Sequence, residues 1–250
     1  MDDGSTDSSP DIVKKYNDPR IRNVLCQHDF VETLNKGLEL TQGKYIALLD
    51  HDDLMVPKRL QIQYDYMEAN PDVIACGGYM HSFGLSSSEL RLPLNYEDIM
   101  KNMIIRSQML NPTGFVRKDA LVANNIRYQK GYSFAADFKF WTDLVKVGKV
   151  TNIPKILTIY RMSEKQANRV FFKDSFAASL KIQQELIVHF LSMVEENNEY
   201  YSILLEKLLP AITELNKKEF FTYRSYYPFM YELIDGLCRK GAIVIDSNPI

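Results

Sequence analysis

Two kinds of hydrophobic pattern alternate along the first half of the chain. Apolar residues recur with a helical period over residues 30–38 and, after Pro57, over residues 60–67. Gly43 is expected to end the first of these helices. A further helix is expected to start near Ser133. Short apolar runs that suit strands lie at residues 21–25, 45–49, 73–77, 113–117 and 155–160. This alternation predicts an α/β fold with a mostly parallel sheet.

The apolar run at residues 45–49 ends abruptly in Asp50, His51, Asp52 and Asp53. Ligands of open α/β sheets bind beyond the carboxyl ends of the strands, so these acids lie where a site is expected. Carboxylates this close repel one another unless a cation offsets their charge, and hard oxygen ligands suit Mg²⁺ or Mn²⁺. The alternative interpretation is a plain acidic turn that leads into a helix.

Two further acidic positions stand out. The chain opens with an Asp-rich turn at residues 2–7, which alone is typical of an ordinary turn. Asp137 is the single carboxylate on an apolar stripe that includes Phe134 and Trp141. Burying such a charge without a partner is costly, and the N-terminus of a helix would favour the ionised form. The alternative is a first-turn helix acid satisfied by backbone donors.

Composition excludes several classes of protein. The 250 residues are 46% hydrophobic and 25% charged, with a formal net charge of −2, so no basic surface for nucleic acid is expected. The three cysteines, Cys26, Cys76 and Cys238, show no paired spacing and suit free thiols in a reducing compartment. No signal peptide or membrane span is apparent, so the prediction is a cytoplasmic protein, with peripheral attachment at the inner face of the membrane as the alternative.

Several motifs occur together in a fixed order. The Asp-Asp-Gly-Ser-Thr-Asp turn at residues 2–7 is followed by Leu-Asn-Lys-Gly at 34–37, Gly-Lys-Tyr-Ile at 43–46, Asp-His-Asp-Asp at 50–53 and Pro-Lys-Arg-Leu at 57–60. This set resembles the family 2 glycosyltransferases of the GT-A fold, from residue 1 to about residue 163. The resemblance implies an inverting transferase that uses a nucleotide-diphosphate sugar, with UDP as the first choice of nucleotide and dTDP and GDP left open.

The resemblance also implies roles for individual acids. Asp3 would contact the base of the nucleotide, and Asp50 would reach its ribose. Asp52 would hold the Mn²⁺ or Mg²⁺ ion that bridges the diphosphate, with Asp53 supporting this cluster or sharing the metal. Asp137 would be the general base that deprotonates the acceptor hydroxyl, which belongs to a glycan or a lipid-linked glycan in polysaccharide assembly.

The chain departs from the family pattern in three places. Family members begin with a strand, a loop and a helix before the acidic turn, so we expect an incomplete N-terminus, a nucleotide pocket that lacks one wall, and an exposed edge that favours dimers or aggregates. Ala136 replaces a usual Glu, and Ser163 replaces a usual His. Arg161 remains a candidate phosphate ligand, with a plain surface or salt-bridge residue as the alternative.

We expect a GT-A domain over residues 1–168 and a helical, aromatic-rich region over residues 169–250. The second region carries helical stripes at 182–193 and 201–215 and an aromatic window at 220–231, which would contact the first domain, a second subunit or a membrane surface. Processive synthases of the resembled family carry a Gln-x-x-Arg-Trp motif, which this sequence lacks, so the resemblance implies transfer of one sugar per encounter. The alternatives are a non-catalytic glycosyltransferase-like binding module and a nucleotidyltransferase on a related fold.

Overall fold

The structure is a computed structural model that describes residues 1–164, 170–194, 206 and 226–245. It has an α/β architecture with one mixed sheet. The helices are α1 (Ser9–Lys14), α2 (Phe30–Leu40), α3 (Arg59–Ala69), α4 (Tyr96–Met103), α5 (Lys118–Ala123), α6 (Ala136–Val147), α7 (Phe172–Ser192) and α8 (Tyr226–Arg239). The strands are β1 (Tyr45–Ala47), β2 (Leu54–Met55), β3 (Val73–Gly84), β4 (Glu89–Leu90), β5 (Phe115–Arg117) and β6 (Lys149–Met162).

The strand order is β1-β5-β3-β6-β2, with β4 paired to β3. The longest pairing, β3 with β6, is parallel and runs from Val73 and Lys149 to Gly84 and Met162. The other four pairings of named strands are antiparallel. The α/β prediction is confirmed, but the expectation of a mostly parallel sheet is wrong for the described strands. A short apolar run indicates that a strand is buried, but it does not indicate whether the neighbouring strand is parallel or antiparallel.

The N-terminal part of the sheet differs most from the prediction. Strand β1 pairs only with β5 among the described strands, and Ala47 and Leu49 are exposed, so the run is not buried on both faces. Residues 21–25 form no strand in the described chain and contribute one bridge, between Leu25 and Asp2. Helix α2 ends at Thr41, before Gly43, which was expected to end it.

The C-terminal helices pack on the α/β part. Residues of α7 and α8 belong to the same buried cluster as Trp141 and the centre of the sheet. Lys101 of α4 donates to Asp235 of α8 at 3.0 Å, and Lys139 of α6 donates to Glu185 of α7 at 2.8 Å. The predicted stripe at 201–215 and the aromatic positions 220–225 lie outside the described residues. In the portion of the chain that is described, no helix is both long and apolar enough to cross a bilayer.

The buried side chain of Arg59, at the start of α3, joins three parts of the chain that are far apart in sequence. The residue is 1% exposed. The three nitrogens of its guanidinium donate to five oxygens: the carbonyls of Leu48 (2.8 Å), Pro112 (2.6 Å) and Gly114 (3.2 Å), Thr158 Oγ1 (3.3 Å) and Gln63 Oε1 (2.8 Å). Burial lowers the pKa of Arg59 to about 10, which leaves the group charged at neutral pH. Arg59 therefore fixes the end of β1 against the 3-10 turn Asn111–Thr113.

Gly114 brings helix α6 against the same turn. A Cβ at Gly114 would lie 2.5 Å from Cζ2 of Trp141, so only glycine admits the indole there. Trp141 is fully buried and lies one helical turn beyond Asp137. The end of β1, the Asn111–Thr113 turn and α6 are consequently held as one unit.

We expect Arg59→Ala to lower the free energy of unfolding by at least about 3 kcal/mol, because it leaves several buried carbonyl oxygens without donors. Urea unfolding followed by circular dichroism measures this. The matched control is Arg91→Ala, which removes an exposed arginine paired with Glu89 and should change the free energy by less than about 0.5 kcal/mol. Equal losses in the two variants would contradict the role of Arg59.

Candidate functional site

The turn that follows β1 carries three of the acids predicted from the sequence. Its start is fixed because Leu48 N donates to Gly114 O at 2.9 Å, while Leu48 O accepts from Arg59. The turn closes where Asp53 N donates to Asp50 O at 3.2 Å. The backbone of this turn is therefore firmly held, and it keeps the three acids close together as the sequence predicts.

Asp50 is the most perturbed acid of this turn. Burial, followed by repulsion from Asp53, Asp137 and Asp52, raises its pKa to about 6. One hydrogen bond opposes this shift, since Asn111 Nδ2 donates to Asp50 Oδ1 at 3.4 Å. Asp50 thus feels the charges of both its own turn and helix α6.

Asp53 is 6% exposed and faces strand β6. Its Oδ1 accepts from the backbone N–H of Arg161 at 2.8 Å, whereas its buried Oδ2 has no hydrogen-bond partner among the described residues. Burial raises the pKa of Asp53, and the Asp52 charge adds to that effect. Arg161 also donates from Nε to Asp52 O at 3.0 Å, and its Cζ lies 4.7 Å from the centroid of the Phe83 ring. These two contacts hold the exposed guanidinium beside the acidic turn.

Asp137 lies in the first turn of α6, directly after the 3-10 turn Ser133–Ala135. Its Oδ1 accepts from Phe138 N at 2.8 Å. The sequence placed Asp137 on a buried stripe, and the residue shares a helix face with buried Trp141, but it lies in the first turn of α6 and is exposed there. Water reaches the carboxylate, and the protein around it nevertheless desolvates the group enough to raise its pKa.

The raised pKa values of two tyrosines indicate that the acids lie near one another. Burial, followed by the charges of Asp53, Asp50, Asp52 and Asp137, raises the pKa of Tyr160 to about 12. All four acids therefore act on one phenol, although the turn and α6 are far apart in sequence.

Tyr128 gives the same indication from the side of α6. Burial raises its pKa, and the charges of Asp137 and then Asp50 add to the shift. Its ring stacks on Phe140 with centroids 4.5 Å apart, and Asn35 binds its backbone N–H and C=O. Tyr128 is thus fixed between α2 and α6.

Asp3 is held at the start of α2. Its Oδ1 accepts from Asp29 N at 2.8 Å and from Thr33 Oγ1 at 2.6 Å, and its Oδ2 lies 2.9 Å from His28 Nδ1. An open concave surface of about 540 Å³ runs along α2 beside it, and the acids after β1 and in α6 do not line it. Its lining residues are Cys26, Gln27, His28, Asp29, Glu32, Thr33, Lys36 and Glu39. Chemistry is assigned to the acids rather than to this surface, because the acids carry the perturbed pKa values.

Sequence reasoning found the acids and missed three of their neighbours. Asn111, Tyr128 and Tyr160 belong to no spacing pattern, and only the fold brings them to the acids. The Asn-Pro-Thr-Gly stretch at 111–114 was a usable signal, since it breaks the expected strand. Within the described ranges no three His, Cys, Asp or Glu side chains are grouped closely enough to hold a metal ion by themselves.

The chain is similar to proteins named as glycosyltransferases. An uncharacterized glycosyltransferase of Haemophilus influenzae is 27% identical over 209 residues, covering 78% of this chain and 65% of that protein. The glucosyltransferase WfaP of Escherichia coli, named as acting from UDP-Glc on α-D-GlcNAc-diphosphoundecaprenol, is 28% identical over 69% of this chain and 68% of its own length. The chain spans about half to two thirds of the length of the curated relatives it matches first.

Solved structures agree on the fold. Staphylococcus aureus TarS 1–349 in complex with UDP matches with a TM-score of 0.60 at 15% identity, over 96% of this chain and 81% of that chain. The mannosyltransferase PcManGT of Pyrobaculum calidifontis, in complex with GDP-Man and Mn²⁺, matches with a TM-score of 0.51 at 12% identity, over 95% of this chain and 75% of that chain. The predicted GT-A fold is confirmed.

The family model described as glycosyl transferase family 2 matches residues 1–139. That span includes the opening turn, the acidic turn after β1, the Asn111–Thr113 turn and Asp137. The predicted resemblance is confirmed, and this chain belongs to glycosyl transferase family 2.

Proposed function

We propose that this chain is an inverting, metal-dependent glycosyltransferase. It moves one sugar from a nucleotide-diphosphate sugar, UDP-sugar in the first instance, to a hydroxyl group of a glycan or lipid-linked acceptor in polysaccharide assembly. The observation that carries this proposal is the convergence of Asp50, Asp52 and Asp53 with Asp137, seen in the charges that act on Asp50 and Tyr160. A strand end and a helix start thereby supply acids to a single site.

The proposed donor is a nucleotide sugar. The similar structures named above are complexes with UDP and with GDP-Man, and WfaP is named for UDP-Glc. In this chain we assign Asp3 to the base, Asp50 to the ribose and Arg161 to a phosphate. Arg161 suits that role because its guanidinium is exposed and is anchored to the backbone of Asp52.

The residues present fit a hard divalent cation. Mg²⁺ and Mn²⁺ are usually bound through one or two carboxylates together with phosphate oxygens of the substrate, so a ready-made group of three protein ligands is not required. Asp52 would hold the ion, and the unpartnered Oδ2 of buried Asp53 supplies negative charge behind it. When bound, such an ion neutralises charge on a departing nucleotide diphosphate.

Asp137 is assigned to the proton transfer. As the acceptor hydroxyl attacks the anomeric carbon, Asp137 takes its proton, and the bond from that carbon to the diphosphate oxygen breaks with its electron pair going to the diphosphate. The raised pKa makes the carboxylate a stronger base, and its exposure leaves room for an acceptor. Exposed Phe134, three residues earlier, offers an apolar face beside it.

A non-catalytic binding module remains the second candidate, because Ala136 and Ser163 stand at positions where the resembled family carries a Glu and a His. Such a module binds a nucleotide sugar and releases no nucleoside diphosphate in the presence of acceptors. Release of nucleoside diphosphate by the wild-type protein, measured with a panel of glycan and lipid-linked acceptors, separates the two candidates.

Asp137→Asn should lower the rate of sugar transfer by at least about 100-fold and leave donor affinity nearly unchanged, since only the proton acceptor is removed. The matched control is Asp119→Asn in α5, where the acid likewise lies in the first helical turn and accepts from the next backbone N–H, with Ala120 N donating to Asp119 Oδ1 at 2.8 Å. That variant should retain its rate. Normal turnover by Asp137→Asn would move the base elsewhere.

Mn²⁺ should strengthen UDP binding by at least about tenfold in the wild-type protein and have little effect in Asp52→Ala, because Asp52 would hold the ion whose charge favours binding of the diphosphate. Isothermal calorimetry with Mn²⁺ or with a chelator measures both affinities. Asp65→Ala, which removes an exposed acid of α3, should respond to Mn²⁺ like the wild type. A wild-type affinity that is the same in both conditions would rule out the metal.

Asp50→Asn should stabilise the metal-free protein by on the order of 2 kcal/mol at pH 7.5. Between the ordinary pKa of 3.8 and about 6 the folded protein binds more protons than the unfolded chain, so wild-type stability falls as pH rises through that window. The advantage of the variant should therefore shrink by more than half at pH 4. Denaturant unfolding with a chelator present measures the free energy of unfolding of both proteins. A difference between them that does not change with pH would contradict the raised pKa of Asp50.

A further inference from the structure

We propose that Phe134 and Phe171 form an aromatic platform that binds a sugar ring of the acceptor and presents its hydroxyl group to Asp137. The inference rests on the proposed function, because it assigns the recognition of the acceptor in that reaction. Phe171 lies beyond residues 1–139, which the family model matches, and immediately precedes α7. The platform would therefore make the C-terminal helical region a part of the site.

The two rings of the platform come from different elements and contact each other. Phe134 belongs to the 3-10 turn Ser133–Ala135, and its ring centroid lies 4.8 Å from that of Phe171, with 34° between the ring planes. The two residues are nevertheless 46% and 43% exposed. Single exposed apolar residues are ordinary, whereas two aromatic rings that separate elements bring together form a continuous apolar surface that can bind a partner.

The platform adjoins the proposed base. The 3-10 turn leads directly into α6, and Asp137 lies in the first turn of that helix. Between Phe134 and Asp137 the chain buries Ala135 and Ala136, whereas Phe134 and Asp137 themselves are exposed. This short segment thus has one buried side and one open side, and the ring and the carboxylate both belong to the open side.

The packing of α7 fixes the position of Phe171. The carbonyl of Phe171 accepts from Ser175 N at 2.9 Å, so its backbone already belongs to the start of the helix. Helix α7 is tied to α6 because Lys139 donates to Glu185 at 2.8 Å, and the hydroxyl of Tyr132 donates to the same carboxylate. The platform is therefore formed before an acceptor arrives, which lowers the entropic cost of binding.

The chemistry of the two rings indicates a sugar as their ligand. A phenylalanine ring carries no hydrogen-bonding group or charge, so it offers nothing to a diphosphate. A pyranose ring has faces that carry mainly C–H groups, and its hydroxyl groups lie around the rim. The C–H groups pack favourably on the electron-rich face of an aromatic ring. A sugar bound in this way keeps a rim hydroxyl free to reach Asp137.

The size of the platform also suits one sugar ring. At about 200 Å² for a whole phenylalanine side chain, the exposed fractions leave roughly 200 Å² of apolar surface on the pair. A stable interface between proteins covers about 800 Å² on each partner. A second copy of the chain would therefore need further contacts, whereas one sugar ring can be bound by this surface together with Asp137.

Steady-state kinetics with defined acceptors test the platform. Hexoses and N-acetylhexosamines, each linked to p-nitrophenol or to farnesyl diphosphate, are screened against UDP-, dTDP- and GDP-hexoses, and the best pair is kept for all variants. Phe171→Ala should raise the acceptor KM by at least about fivefold and change kcat and the donor KM by less than about twofold, because the ring contact is equal in the ground state and the transition state. Phe171→Tyr, which keeps the aromatic face, should retain the wild-type KM.

Phe172→Ala is the matched control. Phe172 is the next residue and is also 43% exposed, but its ring stacks on Phe176 of the same helix, with centroids 6.2 Å apart. Its removal should leave the acceptor KM unchanged. The melting temperatures of both alanine variants should stay close to that of the wild type, because both rings are exposed.

Four outcomes overturn the inference. An unchanged acceptor KM in Phe171→Ala removes the contact. An equal rise in Phe172→Ala makes the effect a general property of this surface. A loss confined to farnesyl-linked acceptors assigns the ring to the lipid, and a change in oligomeric state seen by light scattering assigns it to a second copy of the chain. If the wild-type protein transfers no sugar to any acceptor, the proposed function itself fails, and this inference fails with it.

Discussion

The candidate site depends on one buried cation. The N–H groups of Arg59 donate to backbone carbonyls and to neutral side chains, so oriented dipoles stabilise its positive charge. Those carbonyls belong to the strand end before Asp50 and to the turn that begins at Asn111. The acids repel one another and would otherwise spread the turn. The hydrogen bonds of Arg59 hold the backbone before Asp50 and the backbone of the Asn111–Thr113 turn, so the acidic turn keeps its shape although its carboxylates repel one another.

The acids themselves oppose folding. Asp50, Asp53 and Asp137 each have a raised pKa, and in each case desolvation of the carboxylate by the surrounding protein is the largest cause. Such groups weaken the folded state near neutral pH, and a sequence selected only for stability would replace them. Their presence together at one site is what the proposed binding of a cation and the proposed proton transfer would explain. The same charges also act on Tyr160, whose phenol therefore stays protonated and remains a hydrogen-bond donor at neutral pH.

Local chemistry made part of this structure predictable from the sequence. Pro57 and the periodic apolar residues located α3, and the acids after an apolar run located one edge of the site. Strand direction was not predictable, because β5 enters between β1 and β3 through contacts between residues far apart in sequence. The exposure of Asp137 was not predictable, because helical periodicity does not show whether other residues cover the first turn of a helix, and Asn111 reaches Asp50 only because the fold packs its turn on Arg59.

The two buried lysines that join the C-terminal helices to the rest have a consequence for protein engineering. Lys101 and Lys139 have side chains only 8% and 7% exposed, and each relies in part on a carboxylate from a later helix, Asp235 or Glu185. Loss of the later acid would leave Lys101 only Glu97 and Asp98 of its own helix, and Lys139 only Asp143, so part of the compensation of each buried charge would be lost. A chimera that joins the first 164 residues to the C-terminal helices of a relative must therefore carry acids at both facing positions. Sequence identity between the exchanged helices is a poorer guide to success than the retention of those two charges.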